Sequence, residues 1–359
     1  MEPPPRPPED PLRHRGAASN PPNRFDTRWR EADPDIADLD PAEEPSPKTQ
    51  FLEDVTRTAL NRNQSPDIGF EWSLNPYRGC EHGCAYCYAR PFHEYLGFSA
   101  GLDFETRIVV KPRLPEILRE ELSRPSWKPD FIALSGVTDC YQPAERRFRI
   151  TRGCLEVLAE FRNPVALVTK NALVTRDIDL LQELARHRCA VVFVSLTTLD
   201  TGLRSVLEPR TSPPVARLAA IRKLASAGIP VGVLVAPVIP AVNDHEIPRL
   251  LEAAAEAGAG FAGHVVLRLP NVVAPLFEDW LDRHMPDRKE KVLGRVRSMR
   301  GGKLNDPAFH SRMRGSGFVA DQIHQMFDVA CRRLGLARKA PDLSVSAFRR
   351  PEKGQGELF

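Results

Sequence analysis

The sequence predicts an α/β fold, an incomplete (β/α)6 barrel built on a parallel sheet. Short apolar segments rich in β-branched residues alternate with amphipathic helical stretches between residues 70 and 269, a pattern typical of βα units with right-handed crossovers. Polar residues follow nearly every apolar segment, as expected where strand ends build a functional site. An open doubly wound sheet accounts for the alternation nearly as well.

Six predicted strands form the sheet, because each segment is apolar and too short for a helix. They lie at 70–74, 131–136, 165–170, 190–196, 231–240 and 263–269. Five predicted helices lie between them, several opening with Thr, Pro or Asp and two ending on Gly. These helices lie at 114–123, 151–162, 175–188, 213–228 and 246–258.

The two ends of the chain differ from its middle in composition. Residues 1–50 contain 7 Lys and Arg, 11 Asp and Glu, and 12 of the 34 prolines, so we expect a disordered tail. Within it, RGAASNPPNRF (15–25) is either part of that tail or a docking element. Residues 283–359 carry 17 Lys and Arg against 8 Asp and Glu, which predicts a basic helical extension. The barrel is expected at 51–282.

Composition indicates a soluble protein of the cytoplasm. The chain has 359 residues, of which 42% are hydrophobic and 27% charged, as in globular proteins. No apolar run approaches the roughly 18 residues of a membrane span, and the start MEPPPRPPEDPLRHRG lacks the apolar centre of a secretory signal. Seven cysteines, an odd number, favour reduced thiols and metal ligation over a disulfide framework. We therefore expect a cytoplasmic monomer without membrane contact.

Three of the cysteines, Cys80, Cys84 and Cys87, fall within the short stretch RGCEHGCAYCYAR. Zinc in a closed site prefers four protein ligands, and His82 or His93 is a candidate for the fourth. His82 lies between two of the cysteines, where ligation together with both would be strained. An iron–sulfur cluster held by three cysteines leaves one iron open to a small molecule. We favour the cluster and keep zinc as the alternative.

The order Cys-x3-Cys-x-Tyr-Cys after a first strand, with βα units behind it, resembles the radical S-adenosylmethionine (SAM) superfamily. The resemblance extends over roughly residues 66–280. Four stretches are similar to the branch that includes spore photoproduct lyase and proteins labelled DNA repair photolyase-like. They are YRGCEHGCAYCYAR, TDCYQPAE, LEPRTSPPVARLAAI and AGIPVGVLVAPVIPAVND.

The resemblance implies an enzyme with two cofactors, a 4Fe–4S cluster on Cys80, Cys84 and Cys87, and SAM. In that superfamily the fourth iron chelates the amino and carboxylate groups of SAM. The reduced cluster then cleaves SAM to methionine and a 5′-deoxyadenosyl radical, which abstracts hydrogen from the substrate. The resemblance places Tyr86 against the adenine and Asn243 near the adenosyl half. A reductant such as flavodoxin or ferredoxin is the implied partner.

Further predicted strand ends carry side chains suited to the rest of SAM. Lys170 and Arg210 are the cations best placed to pair with its carboxylate. Ser195 and Thr197 are candidates to bond ribose or methionine groups. Glu208 is a candidate to orient Arg210 or to accept from ribose hydroxyls. Each residue also has an ordinary structural explanation, namely a surface ion pair, a helix cap or a turn.

Cys140 and Tyr141 are the candidate catalytic residues. Both lie in TDCYQP after the second predicted strand, where a thiol could donate hydrogen to a substrate radical. In the lyase branch the corresponding cysteine precedes the Ser/Thr-Asp pair, whereas here Gly136 holds that place and Cys140 follows Asp139. This departure leaves open the thymine-dimer lyase reaction, and a buried bystander thiol is the alternative. Further candidates for substrate contacts are Gln142 and Glu145.

The basic extension, taken with the family resemblance, makes nucleic acid a candidate substrate, because such a surface attracts phosphate backbones. A solvated helix face is the structural alternative. A small-molecule substrate is one alternative, and a zinc- or cluster-stabilised binding module without catalysis is another. Polar strand ends favour an enzyme. The segment 321–336 predicts an amphipathic helix that packs on the barrel. The basic residues expected to face phosphates are Arg288, Lys289, Lys291, Arg295, Arg297 and Arg300.

Overall fold

The structure is a computed structural model that describes residues 14–25 and 48–351. The remainder of the tail predicted at 1–50 lies outside the described residues. The strands are β1 (Gln50–Glu53), β2 (Leu60–Arg62), β3 (Trp72–Leu74), β4 (Tyr77–Arg78), β5 (Arg107–Val110), β6 (Ile132–Leu134), β7 (Val165–Thr169), β8 (Ala190–Ser195), β9 (Val231–Val238) and β10 (Phe261–Val266).

Helices connect most of these strands. The α-helices are α1 (Leu102–Thr106), α2 (Leu114–Ser123), α3 (Glu145–Phe148), α4 (Ile150–Phe161), α5 (Ile178–Arg186), α6 (Thr201–Leu207), α7 (Pro214–Ser226), α8 (Ile247–Glu256), α9 (Val273–His284), α10 (Lys289–Ser298) and α11 (Phe318–Leu334). Short 3-10 turns lie at Arg90–Phe92, Glu94–Leu96, Ala172–Asp177, Asp244–Glu246 and Pro286–Arg288.

The main sheet has seven strands in the order β10-β9-β8-β7-β6-β3-β2. Strands β3 and β6 to β10 pair in parallel, and β2 pairs antiparallel to β3 at the edge. The parallel strands therefore follow chain order from one edge to the other. A doubly wound sheet reverses its strand order at a switch point. The barrel prediction is confirmed, and the doubly wound alternative is wrong.

The apolar runs of the sequence fill the space between sheet and helices. Val192 and Val194 of β8 have no exposed surface, and neither have Leu181 and Leu184 of α5. The helix turns its charged side chains to solvent, as its amphipathic pattern predicts. Because strands and helices are fixed by the same core, the carboxyl ends of the strands are held at one edge of the sheet.

A second, three-stranded sheet positions the segment that carries the three cysteines. Its order is β1-β5-β4, with β1 parallel and β4 antiparallel to β5. The loop begins directly after β4, and the Cys80 N–H donates to the Phe104 carbonyl within α1 (2.8 Å). The start of the loop is thus anchored by main-chain hydrogen bonds before any side chain is considered.

The C-terminal helices are part of the same body. The expected boundary at 282/283 falls inside α9, and α11 packs against α8 and β10. The loop between α10 and α11 reaches across to the β2–β3 loop, where Asp67 pairs with Arg312 and His310. The described residues contain no helix long and apolar enough to cross a bilayer.

A histidine pair holds α11 on β10. His264 Nε2 lies 2.7 Å from His324 Nδ1, and the ring of His264 packs on Phe327 at 4.2 Å between centroids. Burial, and then the charges of His324, Arg338 and Arg314, lower the pKa of His264 to about 3. His264 therefore stays neutral in the folded chain at pH values where an unfolded chain would be protonated.

We predict that the low pKa of His264 makes the free energy of unfolding decrease as the pH is lowered. The unfolded state binds the extra proton between the ordinary pKa of 6.5 and about 3, so the free energy of unfolding decreases as pH falls through that window. The slope contributed by one proton is at most about 1.4 kcal/mol per pH unit. Urea unfolding between about pH 5 and 7 should show a shallower slope for His264→Leu than for the wild type. The exposed control His245→Gln should keep the wild-type slope, and equal slopes in all three proteins would contradict the prediction.

Candidate active site

The cysteine loop, residues 79–90, lies at the carboxyl edge of the parallel sheet. The Ala85 N–H donates to the Leu207 carbonyl at the end of α6 (3.1 Å). Arg90 closes the loop from inside, because its Nε and Nη2 donate to the Cys84 carbonyl at 3.2 and 3.0 Å. The backbone of the loop is thus held from both sides.

The charge of Arg90 is paired inside the protein. Its Nη2 lies 2.6 Å from Glu105 Oε1, and neither side chain has exposed surface. Glu105 also accepts from the N–H groups of Gly16 (3.1 Å) and Ala17 (2.9 Å). Removing one partner of such a buried pair typically costs about 3–5 kcal/mol, because it leaves the other charge uncompensated.

The N-terminal strap, which we define as residues 14–25, lies directly on the cysteine loop. A Cβ on Gly16 would come within 1.8 Å of the Gly83 carbonyl oxygen, so the two backbones are in close contact. Further along the strap, the Asn23 side chain donates to the Glu94 carbonyl (2.8 Å). Residues 14–25 therefore pack on the folded chain, as expected of a docking element. The hydrogen bonds to Glu105 supply the physical reason.

The three loop cysteines are free thiols with little exposure. Cys80 and Cys84 are 6% and 7% exposed, and Cys87 is partly buried. Burial raises the pKa of all three thiols, and the charge of Asp139 adds to this effect for Cys80, as that of Glu208 does for Cys84. Thiolates here require a positive partner, and iron in a cluster is one. The donor set thus fits an iron–sulfur cluster.

The contacts of His82 give little support to a zinc site. His82 Nδ1 lies 3.4 Å from Asp139 Oδ2, and its Nε2 lies 3.3 Å from the Asn171 amide nitrogen, so both ring nitrogens have partners. His93 is buried and packs edge-on against Phe104. Within the described residues, no set of three or more His, Cys, Asp or Glu side chains is arranged to hold a metal ion. A 4Fe–4S cluster binds each cysteine through a separate iron and needs no such common centre.

Five of the seven predicted cofactor-binding residues meet in one network beside this loop. Lys170 Nζ lies 2.6 Å from Ser195 Oγ, 3.3 Å from Thr197 Oγ1 and 3.2 Å from Glu208 Oε1. The ammonium also lies 5.8 Å from the centre of the Tyr86 ring. The Tyr86 hydroxyl donates to Glu208. The ends of β7 and β8 thus meet the cysteine loop through side chains.

Glu208 is buried and charged. Burial by itself raises its pKa, but the charges of Arg217 and Lys170 and hydrogen bonds from Tyr86 and Thr197 hold the pKa well below its usual range. Arg217 is also buried, and its Nη2 lies 2.5 Å from Glu208 Oε2. Two cations thus share one carboxylate. The network keeps one positive charge in surplus and can accept one anionic group.

Arg210 does not belong to this network. Its Nη2 pairs with Glu81 Oε1 (3.1 Å), and its Nη1 lies 3.4 Å from the Thr49 hydroxyl. The expectation that Glu208 orients Arg210 is wrong, because Arg217 takes that place. Arg210 braces the outer side of the cysteine loop, and its role toward SAM stays a prediction.

Asn243 holds two strand ends together. Its Oδ1 accepts from the Ile239 N–H (2.6 Å), and its Nδ2 donates to the carbonyls of Thr197 (2.8 Å) and Pro237 (3.0 Å). The side chain is 1% exposed. Asn243 therefore supports the site through the backbone after β8 and β9, and its contact with the cofactor stays a prediction.

Cys140 and Tyr141 are completely buried after β6. The Tyr141 hydroxyl donates to Asp177 Oδ2 (3.0 Å), and the Thr151 hydroxyl donates to the Cys140 carbonyl (2.6 Å). Both side chains pack in the main hydrophobic core. These contacts favour the bystander alternative for Cys140. A catalytic role for either residue stays a prediction.

Gln142 and Glu145 have structural partners. Gln142 accepts from the Glu81 N–H (2.9 Å) and donates to the Gly79 carbonyl (3.1 Å), so it braces the cysteine loop. Glu145 accepts from the Tyr77 hydroxyl (2.5 Å) and from other buried donors. Neither side chain has exposed surface. Contrary to expectation, they are not available to a substrate.

Four residues that support the site were not among the candidates predicted from the sequence, and they differ in how far the sequence could have indicated them. Arg90 follows the last loop cysteine by three positions and Arg217 lies within a stretch similar to the lyase branch, so both could have been singled out. Asp139, which accepts from the Thr169 hydroxyl and the Lys170 N–H (both 2.7 Å), has a weak signal at a strand end. Nothing in the sequence points to Glu105.

The predicted basic face is only partly present. Arg300 is 3% exposed, so the expectation that all six cations face a nucleic acid is wrong for this residue. Lys289 pairs with Asp282 (2.6 Å), and Arg295 lies 3.2 Å from the nearer carboxylate oxygen of Asp244. Of the six cations, Arg288 and Lys291 are exposed, and the acidic residues Asp287 and Glu290 beside them are exposed as well.

We predict that Gly16→Val displaces the strap from the cysteine loop, because a Cβ cannot fit against the Gly83 carbonyl. The loop thiols should then react faster. The measurement is the rate of alkylation of Cys80, Cys84 and Cys87 in metal-free protein, located by peptide mass spectrometry. Gly69→Val is the matched control, since a Cβ there would meet nothing within 4 Å. Equal rates in the two variants would contradict a covering role for the strap.

The sequence also matches known proteins. The family model of the radical SAM superfamily matches residues 74–254. An uncharacterised protein of Mycobacterium tuberculosis is 38% identical over 268 residues, which is 74% of this chain and 78% of that protein. An uncharacterised protein of Methanocaldococcus jannaschii is 27% identical over 199 residues, covering 55% and 71% of the two chains.

Solved structures of spore photoproduct lyase share the fold. A cysteine-to-serine mutant of that enzyme superposes with a TM-score of 0.61 at 18% identity over 82% of each chain. A mutant with bound AdoMet and dinucleoside spore photoproduct gives 0.60 at 17% identity, again over 82% of each chain. At this identity the likeness shows the fold alone. Taken with the family match, it confirms the predicted superfamily: this chain belongs to the radical SAM superfamily and is a radical SAM enzyme, with a 4Fe–4S cluster and SAM as its cofactors.

Proposed function

We propose that this radical SAM enzyme holds its cluster on Cys80, Cys84 and Cys87, binds SAM beside Lys170, and acts on nucleic acid. The observation that carries the cofactor assignment is the network joining Lys170 to Tyr86 within the cysteine loop. It brings a cation, hydroxyl groups and an aromatic ring to the three thiols.

The chain's own residues bind and orient the cofactors. When bound and reduced, the cluster supplies the electron for the reductive cleavage of SAM. Lys170 offers the surplus positive charge to the carboxylate of SAM, and the hydroxyls of Ser195 and Thr197 offer hydrogen bonds. Glu208 accepts a hydrogen bond from the Tyr86 hydroxyl and so keeps the Tyr86 ring in place. The strap covers the opposite side of the loop and limits the access of water.

Nucleic acid is the substrate class we propose. Support comes from the surplus of nine positive charges among residues 283–359 (17 against 8) and from the exposure of Arg288 and Lys291. The fold likeness to a lyase solved with a dinucleoside spore photoproduct agrees with it. A small-molecule substrate is the second candidate, because Lys289 and Arg295 have carboxylate partners and Arg300 is buried.

The proposal includes a reducing compartment and an electron donor. All seven cysteines are free thiols, which agrees with the cytoplasm. An external reductant of the flavodoxin or ferredoxin type would reach the cluster through the surface of the protein.

The cofactor assignment predicts that Ala in place of Cys80, Cys84 or Cys87 abolishes the brown chromophore, because two thiolates hold a cluster poorly. Cys154→Ala, which removes a buried core thiol, is the control and should keep its iron. Iron, sulfide and 5′-deoxyadenosine are measured after anaerobic reconstitution and reduction with SAM. Zinc at one equivalent in the wild type, with no iron taken up, would contradict the assignment.

In the same experiment Lys170→Met separates the two cofactors. This variant should keep its iron and weaken SAM binding by on the order of 1.5–3 kcal/mol, as expected for a charged hydrogen bond. Lys223→Met, on the exposed face of α7, should bind SAM as the wild type does. Equal SAM affinity in the two variants would show that the carboxylate lies elsewhere.

The substrate proposal predicts that binding of DNA or RNA weakens steeply with salt. Each phosphate contact contributes a slope of about −0.9 for duplex DNA and about −0.7 for single strands. Reversing two charges in Arg288→Glu/Lys291→Glu should flatten the slope. The same reversal in Arg222→Glu/Lys223→Glu on α7 should leave it unchanged. Weak, salt-independent binding of every nucleic acid would favour the small-molecule candidate instead.

A further inference from the structure

Three arginines meet beyond the carboxyl end of β10; we call Arg268, Arg300 and Arg312 the arginine cluster. Arg300 Nη2 donates to the Leu267 carbonyl (2.7 Å), and its Nη1 donates to the Arg312 carbonyl (2.9 Å). Arg268 follows Leu267 directly in the chain. Burial, and then the charge of Arg312, lower the pKa of Arg268. The three guanidinium groups are therefore close enough to repel one another.

The arginine cluster has fewer negative partners than positive charges. Arg312 pairs with Asp67. Arg268 donates from Nη1 to the sulfur of Met313 (3.2 Å), which is a weak acceptor, and its buried Nε has no hydrogen-bond partner. Arg300 donates to neutral carbonyls, and its buried Nε also lacks a partner. Among the residues that the structure describes, neither Arg268 nor Arg300 forms an ion pair with a carboxylate.

A guanidinium remains charged in a protein, so its burial without a counter-ion is unfavourable. Arg300 is buried and Arg268 is partly buried. The charge of Asp306 acts on both without forming an ion pair with either, so the cluster keeps positive charge that an anion from outside can pair with. We infer that Arg268, supported by Arg300, binds an anionic oxygen group of the substrate, a phosphate or a carboxylate. This inference rests on the proposed function, because it assumes that the substrate binds at the carboxyl edge of the parallel sheet.

The position of Arg268 agrees with a substrate site. The preceding residue, Leu267, donates its N–H to the Val238 carbonyl at the end of β9 (2.9 Å), so Arg268 lies at the carboxyl edge of the sheet. Tyr88, which follows Cys87 in the cysteine loop, is 46% exposed. The Tyr88 hydroxyl donates to the Gly136 carbonyl after β6 (2.7 Å). Arg268 thus lies at the mouth of the barrel, on the side of the cysteine loop that faces the end of β10. The carboxylate of SAM already has the surplus charge beside Lys170.

Inorganic phosphate is the probe for this site. Thermal unfolding of the anaerobically reconstituted holoenzyme is followed as phosphate replaces chloride at constant ionic strength. The wild type should be stabilised in a saturable way. Arg268→Gln should bind phosphate at least about tenfold more weakly, because it loses a charge-assisted bidentate donor. Arg333→Gln, an exposed arginine of α11, is the matched control and should behave as the wild type.

Two further arms identify the source of the anion. Acetate in place of phosphate tests a carboxylate, and the tighter of the two probes indicates which group the substrate carries. Calorimetric titration with SAM tests the cofactor: loss of SAM affinity in Arg268→Gln would overturn the inference, because the site would then serve the cofactor. Equal phosphate affinity in Arg268→Gln and the wild type would overturn it too. Phosphate binding through Arg268 in a protein that takes up no iron would contradict the proposed function and support the anion site.

Discussion

The buried ion pair between Arg90 and Glu105 is the interaction on which the site depends. Arg90 holds the Cys84 carbonyl, and Glu105 holds the N–H groups of Gly16 and Ala17, so one pair of charges joins the cysteine loop, α1 and the strap. Because both side chains are buried away from water, losing either charge would leave the other uncompensated. The geometry of the loop is therefore set by electrostatics in a dry environment before a cluster binds.

A second balance of charge organises the sheet side of the loop. Lys170 and Arg217 share Glu208, which leaves a net positive charge beside Tyr86. After the end of β10, Arg268 forms no ion pair with a carboxylate of the described residues, and its Nη1 donates to the Met313 sulfur. The two surplus charges are attached to different strand ends. In the proposed assignment, an anionic group of the cofactor and an anionic group of the substrate therefore bind at separate places and do not compete.

The sequence allowed the barrel and the cysteines to be predicted because both are local patterns. Strands buried on both faces are apolar throughout, and the three thiols lie within one loop. The strap could not be predicted with the same assurance, since its partner Glu105 is about ninety residues away along the chain. Arg210 and Arg217 show a related difficulty. Both are cations after the same strand, and only the direction in which each side chain leaves the backbone decides that Arg217 reaches Glu208.

Two sides of the cysteine loop are covered by other parts of the described chain. The strap covers it where Gly16 meets Gly83, and the strand ends cover it where Tyr86 meets Thr197. Tyr88, the next residue after the last loop cysteine, is half exposed, and its hydroxyl donates to the Gly136 carbonyl after β6. In the proposed site, the arginine cluster lies at the same edge of the sheet as the cysteine loop. A cation without a carboxylate partner attracts an anionic molecule more strongly than a neutral molecule of the same shape. In the proposed site, the arginine cluster therefore favours anionic substrates before they contact the cofactors.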